Sequence, residues 1–337
     1  MEVTPGEPAF DITRAHPARV YNYWLGGKDN YEADRVAASE VIAAMPNIVP
    51  TAQANRAFLR RAVQYLVEEA GIRQFLDVGT GLPTAQNTHE VAQDLAPESR
   101  IVYVDNDPIV LAHARALLTS TPEGATDYLQ ADARDPEKIL REAARTLDFS
   151  QPVAVMLLAI MQFIPDADGP HQIVSAFMDA VPPGSCLAMS HATLDFDPSG
   201  SPGADRYNAR VAAQLTPRPR AQVARFYDGL ALVEPGLVPL AQWRALARPG
   251  RPVSLYAGVG AKTGHARGPL PAGPGEGATG RAPASKQVRS LVWQAAPTWS
   301  TLTRMASPSQ SRATDLTTCA WPEVSPLTQY SCRLRDQ

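Results

Sequence analysis

The stretch Phe75-Leu76-Asp77-Val78-Gly79-Thr80-Gly81-Leu82-Pro83 reads as a buried strand that ends in an acid and runs into a glycine turn. Phe75, Leu76 and Val78 are apolar, and a β-branched member suits an interior strand. Gly79 and Gly81 permit backbone angles and close approaches that a side chain would forbid. The pattern predicts a helix opening near Thr84, whose first N–H groups lack intrahelical partners and can face a ligand. Strand, glycine turn and helix together are how doubly wound α/β sheets hold a nucleotide-like cofactor.

Working outward, strand–helix alternation begins at Arg73. Strands are expected at Gln74–Val78, Arg100–Val104, Thr126–Leu129, Val153–Leu158 and Ser185–Ser190, with helices between them. Such alternation gives a parallel sheet with right-handed crossovers. Ala231–Glu234 and Val253–Val259 are expected to add an antiparallel pair at one edge. The fold class is therefore α/β: a doubly wound, mostly parallel, seven-stranded Rossmann-like sheet. Upstream, apolar periodicity and stop signals predict helices over Pro17–Leu25, Tyr31–Met45 and Thr51–Glu69, with Asn30 as a cap. The chain divides into an N-terminal arm and helical cap (1–72), the α/β domain (73–262) and a Pro/Gly/Ser-rich tail (263–337) expected to be disordered.

Composition narrows the class. The chain has 337 residues, a formal charge of -3 and 45% hydrophobic residues, enough for a substantial core. Near-balanced charge gives no support for nucleic-acid binding. Three cysteines show neither metal nor disulfide spacing, so no metal site and a reducing compartment are expected. No secretory pattern opens the chain, and no run reaches the roughly 18 apolar residues of a membrane span. These features predict a soluble, cytoplasmic protein without a membrane partner.

Three acids fall at the carboxyl ends of consecutive strands, where ligands of open α/β sheets bind: Asp77, Asp105 and Asp132. Gly79 and Gly81 supply two glycines of a dinucleotide fingerprint, but Thr84 stands where the third belongs. The glycine turn alone is compatible with a plain structural turn. The three acids and the turn together resemble class I S-adenosylmethionine-dependent methyltransferases over roughly Gln74 to Val259. The resemblance implies S-adenosylmethionine as cofactor, with Gly79, Thr80 and Gly81 under its methionine part and Asp77 near the amino end. It places Asp105, followed by Asn106, on the ribose hydroxyls, and Asp132 with the Ala133 N–H at the adenine. Pro83 departs from the family pattern, which usually has a third glycine there.

A more specific resemblance rests on Ala18-Arg19-Val20-Tyr21-Asn22-Tyr23-Trp24-Leu25-Gly26-Gly27-Lys28-Asp29-Asn30-Tyr31, followed by Asp34-Arg35. This is similar to the opening signature of an actinobacterial methyltransferase family first catalogued as a domain of unknown function. Ser190-His191-Ala192 and Tyr256-Ala257-Gly258-Val259-Gly260 fit its later strands. Members usually end soon after the last strand, so the tail departs from the family.

The expected activity is methyl transfer to a small-molecule acceptor. A non-catalytic S-adenosylmethionine-binding regulator is the alternative, and an NAD-dependent oxidoreductase a weaker one. Gly26, Gly27, Lys28, Asp29 and Asn30 are candidate lid residues, because two glycines before a polar trio exceed the needs of a simple turn. Tyr21, Tyr23 and Trp24 read as core, and Asp107 as a helix cap. Arg56 reads as a surface residue with some chance of lining the pocket. The segment Ala159 to Asp166 occupies the substrate-facing position and lacks the motif of DNA adenine and glutamine methylases. The resemblance implies a His where this chain has Gln162. Gln162 and the strand-end His191 are thus the catalytic candidates, although a lone strand-end His is more often structural. The oligomeric state is not readable.

Overall fold

The computed structural model describes residues 11–84, 86–117, 119–245 and 253–264. The tail beyond Gly264 and the first ten residues lie outside the described residues, so the disorder expected of the tail does too.

The chain opens with three helices: α1 (Pro17–Trp24), α2 (Glu32–Ala44) and α3 (Ile48–Glu68). His16 caps α1, with Pro17 in its first turn. Tyr31, rather than Asn30, is the N-cap of α2, and its N–H is taken by the Asp34 carboxylate at 2.9 Å. Helix α3 begins three residues earlier than Thr51, because Pro50 is tolerated within a first turn whose N–H groups have no helical partner.

The alternating region contains β1 (Gln74–Val78), α4 (Thr88–Leu95), β2 (Arg100–Asp105), α5 (Pro108–Leu117), β3 (Ala125–Gln130) and α6 (Pro136–Ala143). It continues with β4 (Ala154–Leu158), α7 (Pro170–Asp179) and β5 (Cys186–Ala192). Two further helices, α8 (Ser201–Arg210) and α9 (Arg220–Ala224), precede β6 (Ala231–Leu232), β7 (Val238–Pro239) and β8 (Leu255–Ala261).

The strand order is β3-β2-β1-β4-β5-β8-β6, with β7 also paired to β8. Strands β1 to β5 are parallel, and β8 runs antiparallel to β5 with His191 opposite Tyr256. The expected antiparallel pair is present, Leu232 facing Gly260. The sheet has eight strands rather than seven, because the two-residue β7 also docks on β8, Val238 facing Ala257. A two-residue strand beside a proline is too short to leave an alternating pattern in the sequence.

Period-two alternation divides the sheet between two cores. Leu76, Val78, Val102, Val104, Leu187 and Met189 face the side covered by α6 and α7. Phe75, Ile101, Tyr103, Met156 and Ala188 face α3, α4 and Trp243. Helix α3 thus forms a layer of the sheet domain, with Phe58, Ala62, Val63 and Leu66 buried. A third cluster joins Val20 and Trp24 of α1 and Val41 of α2 to Tyr207 of α8. The cap therefore draws on α8 as well as the N-terminal helices. It sits at the carboxyl ends of the strands, where both contribute to one cavity.

Candidate active site

The cavity has a volume of about 210 Å³ and is floored by the ends of β1, β2 and β4. Gly79 and Gly81 have φ of 76° and 70°, in the left-handed region that favours glycine. A Cβ on Gly79 would lie 2.6 Å from the Ile160 side chain, whereas one on Gly81 would meet nothing within 4 Å. Gly79 is thus required by packing, and Gly81 leaves open space in the turn. Thr80 closes the turn, its hydroxyl donating to the Asp77 carbonyl at 3.0 Å.

Asp77 is 5% exposed, and its carboxylate accepts the Thr88 hydroxyl at 2.6 Å. Burial pushes its pKa up to about 6, against the opposing pull of the Thr88 hydrogen bond and the Arg56 charge. Asp105 is 7% exposed and accepts the N–H groups of Gly81 at 2.8 Å and Asp107 at 2.9 Å. Burial raises its pKa too, opposed by those two N–H groups and by His16. Each carboxylate oxygen has a second lone-pair direction, so Asp105 can order the turn and still accept from a ligand. Asn106, Asp132 and Ala133 line the same cavity. Asp132 is half-exposed and ion-paired to Arg134 at 3.2 Å. The eight residues expected at the cofactor are therefore brought together.

The helix after the turn differs from expectation. It opens at Thr88, not near Thr84. Pro83 lies ahead of it, Gln86 takes a left-handed φ of 61°, and Asn87 and Glu90 form a capping box.

The two catalytic candidates part company. Gln162 lines the cavity, with its Oε1 accepting the Ala192 N–H at 3.2 Å. His191 does not line it; the ring is fully buried and stacked on Phe226. One ring nitrogen lies 2.8 Å from the Ala192 carbonyl and the other 3.0 Å from Arg218 Nη1, so both are engaged. Burial pushes its pKa down to about 4. These partners fix a neutral structural imidazole, and the general-base expectation for His191 is corrected accordingly.

The candidate lid residues are likewise committed within the protein. None of Gly26 to Asn30 is among the cavity-lining residues. Asn30 Nδ2 donates to Asn22 Oδ1 and to the Gly27 carbonyl, both at 2.9 Å. A Cβ on Gly27 would fall 2.3 Å from the Asn22 amide. Asp29 pairs with His113 at 3.4 Å, and Lys28 is exposed. Asn30 thus closes this turn on Asn22, and Asp29 ties it to α5.

The same signature holds the cap to the sheet. Arg19, 4% exposed, lies 3.6 Å from the buried Asp34 and 3.5 Å from Asp107. His16 Nδ1 is 3.1 Å from Asp107, which also caps α5 through the Ile109 N–H at 2.9 Å. His16, Tyr21 and Asn55 line the cavity and were not among the expected site residues, while Arg56, expected at the surface with some chance of lining the pocket, does line it. Tyr21 donates to the Ala52 carbonyl at 3.0 Å and accepts from Asn55, which in turn accepts the Ser190 hydroxyl at 2.7 Å. The positions of Tyr21 and Asn55 on the first and third helices gave no signal separable from ordinary amphipathic packing. Arg218 was missed as well. It is buried and binds the Met161 and Ile164 carbonyls at 3.0 and 2.8 Å, and Asp166 at 2.6 Å, fixing the segment that carries Gln162.

A Rossmann-like sheet whose strand-end cavity is lined by Asp77, Asp105 and Asp132 is the architecture of a class I methyltransferase. The chain belongs to the S-adenosyl methyltransferase family, whose profile matches residues 4–263. A DUF574 family protein from Streptomyces avermitilis MA-4680 is 44% identical, covers 75% of this chain and 100% of its own, and superposes with a TM-score of 0.72. A methyltransferase candidate from Thermobifida fusca YX is 39% identical over 77% of this chain and 100% of its own, with a TM-score of 0.70. A search of curated proteins returns no match. The protein is an S-adenosylmethionine-dependent methyltransferase. Among the described residues, no helix is long and apolar enough to cross a membrane.

Proposed function

We propose that this enzyme transfers a methyl group to a small, largely apolar acceptor held between the cap and the strand ends. The observation that carries this reading is the division of one cavity into two chemistries. Asp77, Gly79 to Gly81, Asp105, Asp132 and Ala133 form its polar floor. Trp24, Val41, Met45, Phe163, Tyr207 and Leu215 form an apolar wall from the cap and from the loops after β4 and α8. Tyr207 stacks on Phe163 with ring centroids 5.8 Å apart, which suits a flat, apolar guest.

The polar floor fits the cofactor. Gly81 leaves space that a Cβ would otherwise enter, and two buried carboxylates face one cavity. Asp105 and Asn106 would hold the ribose, Asp132 and Ala133 the adenine, and Asp77 with Gly79 to Gly81 the amino-acid end. The bound cofactor supplies a methyl group already activated by its sulfonium. The chain's own task is then to align the nucleophile and exclude water, which Trp24, Phe163 and Tyr207 do by covering the floor. Gln162 cannot serve as a base, because an amide does not take up a proton near neutral pH. Its Oε1 is held by Ala192, so it orients. This arrangement favours acceptors that need little help in losing a proton.

The test is transfer of a labelled methyl group from S-adenosylmethionine to a pool of small apolar metabolites. One or more labelled low-molecular-weight products are expected. Tight cofactor binding with no labelled acceptor would instead support the regulatory alternative.

A further inference from the structure

The late start of α4 changes how the amino-acid end of the cofactor can be read. In many nucleotide folds the helix after the glycine turn offers free N–H groups to an anion. Here that helix stands away from the site: no residue of α4 lines the cavity. Asn87 and Glu90 close a capping box, with the Asn87 N–H on Glu90 at 2.9 Å. The Thr84 N–H is taken by Asn87 Oδ1 at 3.1 Å. A carboxylate in this part of the cavity needs another cation or donor.

Arg56 of α3 lines the cavity together with Asp77 and Thr80. Its Nη2 donates to the Gln86 carbonyl at 2.9 Å, so it reaches over the turn that replaces the first turn of the helix. Its charge is among those acting on Asp77. A guanidinium presents its N–H donors in a rigid fork that matches the two oxygens of a carboxylate. Asp77 and Arg56 thus place a buried anion and a cavity-lining cation near each other at the glycine turn.

We propose that Arg56 and Asp77 form a receptor for the zwitterionic end of the cofactor, Arg56 binding its α-carboxylate and Asp77 its α-ammonium group. The proposal rests on the assignment of the strand-end cluster as the cofactor site. It makes α3 a working part of that site as well as a layer of the sheet.

Two ligands that share adenine and ribose separate the possibilities. S-adenosylhomocysteine carries the amino-acid end, and 5′-methylthioadenosine lacks it. Calorimetry on the full-length chain should show Arg56→Gln weakening S-adenosylhomocysteine about tenfold or more, the scale of a lost charge-assisted hydrogen bond. The affinity for 5′-methylthioadenosine should stay within about twofold, and Arg56→Lys should fall between wild type and Arg56→Gln, because it keeps charge without the fork. Equal losses for both ligands would mean that Arg56 only supports the Gln86 turn, and would overturn the proposal. Unchanged S-adenosylhomocysteine affinity would overturn it too. Asp105→Asn should weaken both ligands. If it weakens neither, the assignment of the cofactor site fails, and the proposal with it.

Discussion

Asp77 carries a charge that the empty fold would be more stable without. Its pKa stands near 6 in the folded chain, above the ordinary 3.8. The folded state therefore binds a proton more tightly than the unfolded state does. That contribution to stability is complete below about pH 3.8 and is lost as pH rises through about 6. His191 runs the other way. Its folded pKa near 4 lies below the ordinary 6.5, so stability falls as pH drops from about 6.5 towards 4. The two slopes oppose each other in the wild type. Asp77→Asn keeps an acceptor for the Thr88 hydroxyl and should stabilise the ligand-free protein by about 1–3 kcal/mol near neutral pH. The gain should fade towards pH 4 and expose the steeper acid loss due to His191. Urea titrations across that range would measure both effects, and binding of S-adenosylhomocysteine should weaken in the same variant. His191→Ala should lower stability by about 2–4 kcal/mol, from the lost ring volume and an unpaired Arg218 donor. Calorimetry should find its cofactor affinity within about twofold of wild type; a large loss would return His191 to the site.

At the scale of elements, the turn between β1 and α4 contains two glycines of different kinds. Gly79→Ala would drive a Cβ into Ile160 at a positive φ, and roughly 2–4 kcal/mol of destabilisation is expected. Gly81→Ala meets no neighbour, so only the backbone term of about 1–2 kcal/mol applies. Its methyl group enters the open space of the turn, and the main expected loss is in cofactor affinity. Thermal melts and calorimetry on both variants would separate packing from binding. The strands and their terminal acids were legible because an apolar run ending in Asp is a local pattern. The late start of α4 was hidden, because it depends on a capping box formed three residues beyond Thr84. The fate of His191 was hidden for a longer-range reason: its partner Arg218 lies 27 residues away in a proline-rich segment with no period of its own. The Gly26–Asn30 turn misled because Asn22, which leaves no room for a side chain at Gly27, sits inside an amphipathic helix and reads as an ordinary surface position.

At the scale of the whole molecule, β8 decides where the folded unit can be cut. It fills the position between β5 and the short β6 and β7, so it is interior although it comes late in the sequence. Tyr227 locks it in place with a hydrogen bond to the Gly258 carbonyl at 3.0 Å. Lys262 then closes the region. Its N–H donates to the Ser185 carbonyl at 2.8 Å, and its ammonium reaches the carbonyls of Met178, in the last turn of α7, and Val181, just beyond it, at 2.8 and 2.7 Å. Cutting after Lys262 should leave Tm within about 2 °C and S-adenosylhomocysteine affinity within about twofold, because the cut keeps β8 and every one of these bonds. Cutting after Val253 removes β8 and leaves the buried β5 without a neighbour on that side. That variant should not fold, because a whole strand's hydrogen bonds and its buried Leu255, Ala257 and Val259 are lost together. A large drop in Tm from the first cut alone would show that residues after Lys262 pack on the sheet domain, and circular dichroism of the two truncated chains side by side would reveal it.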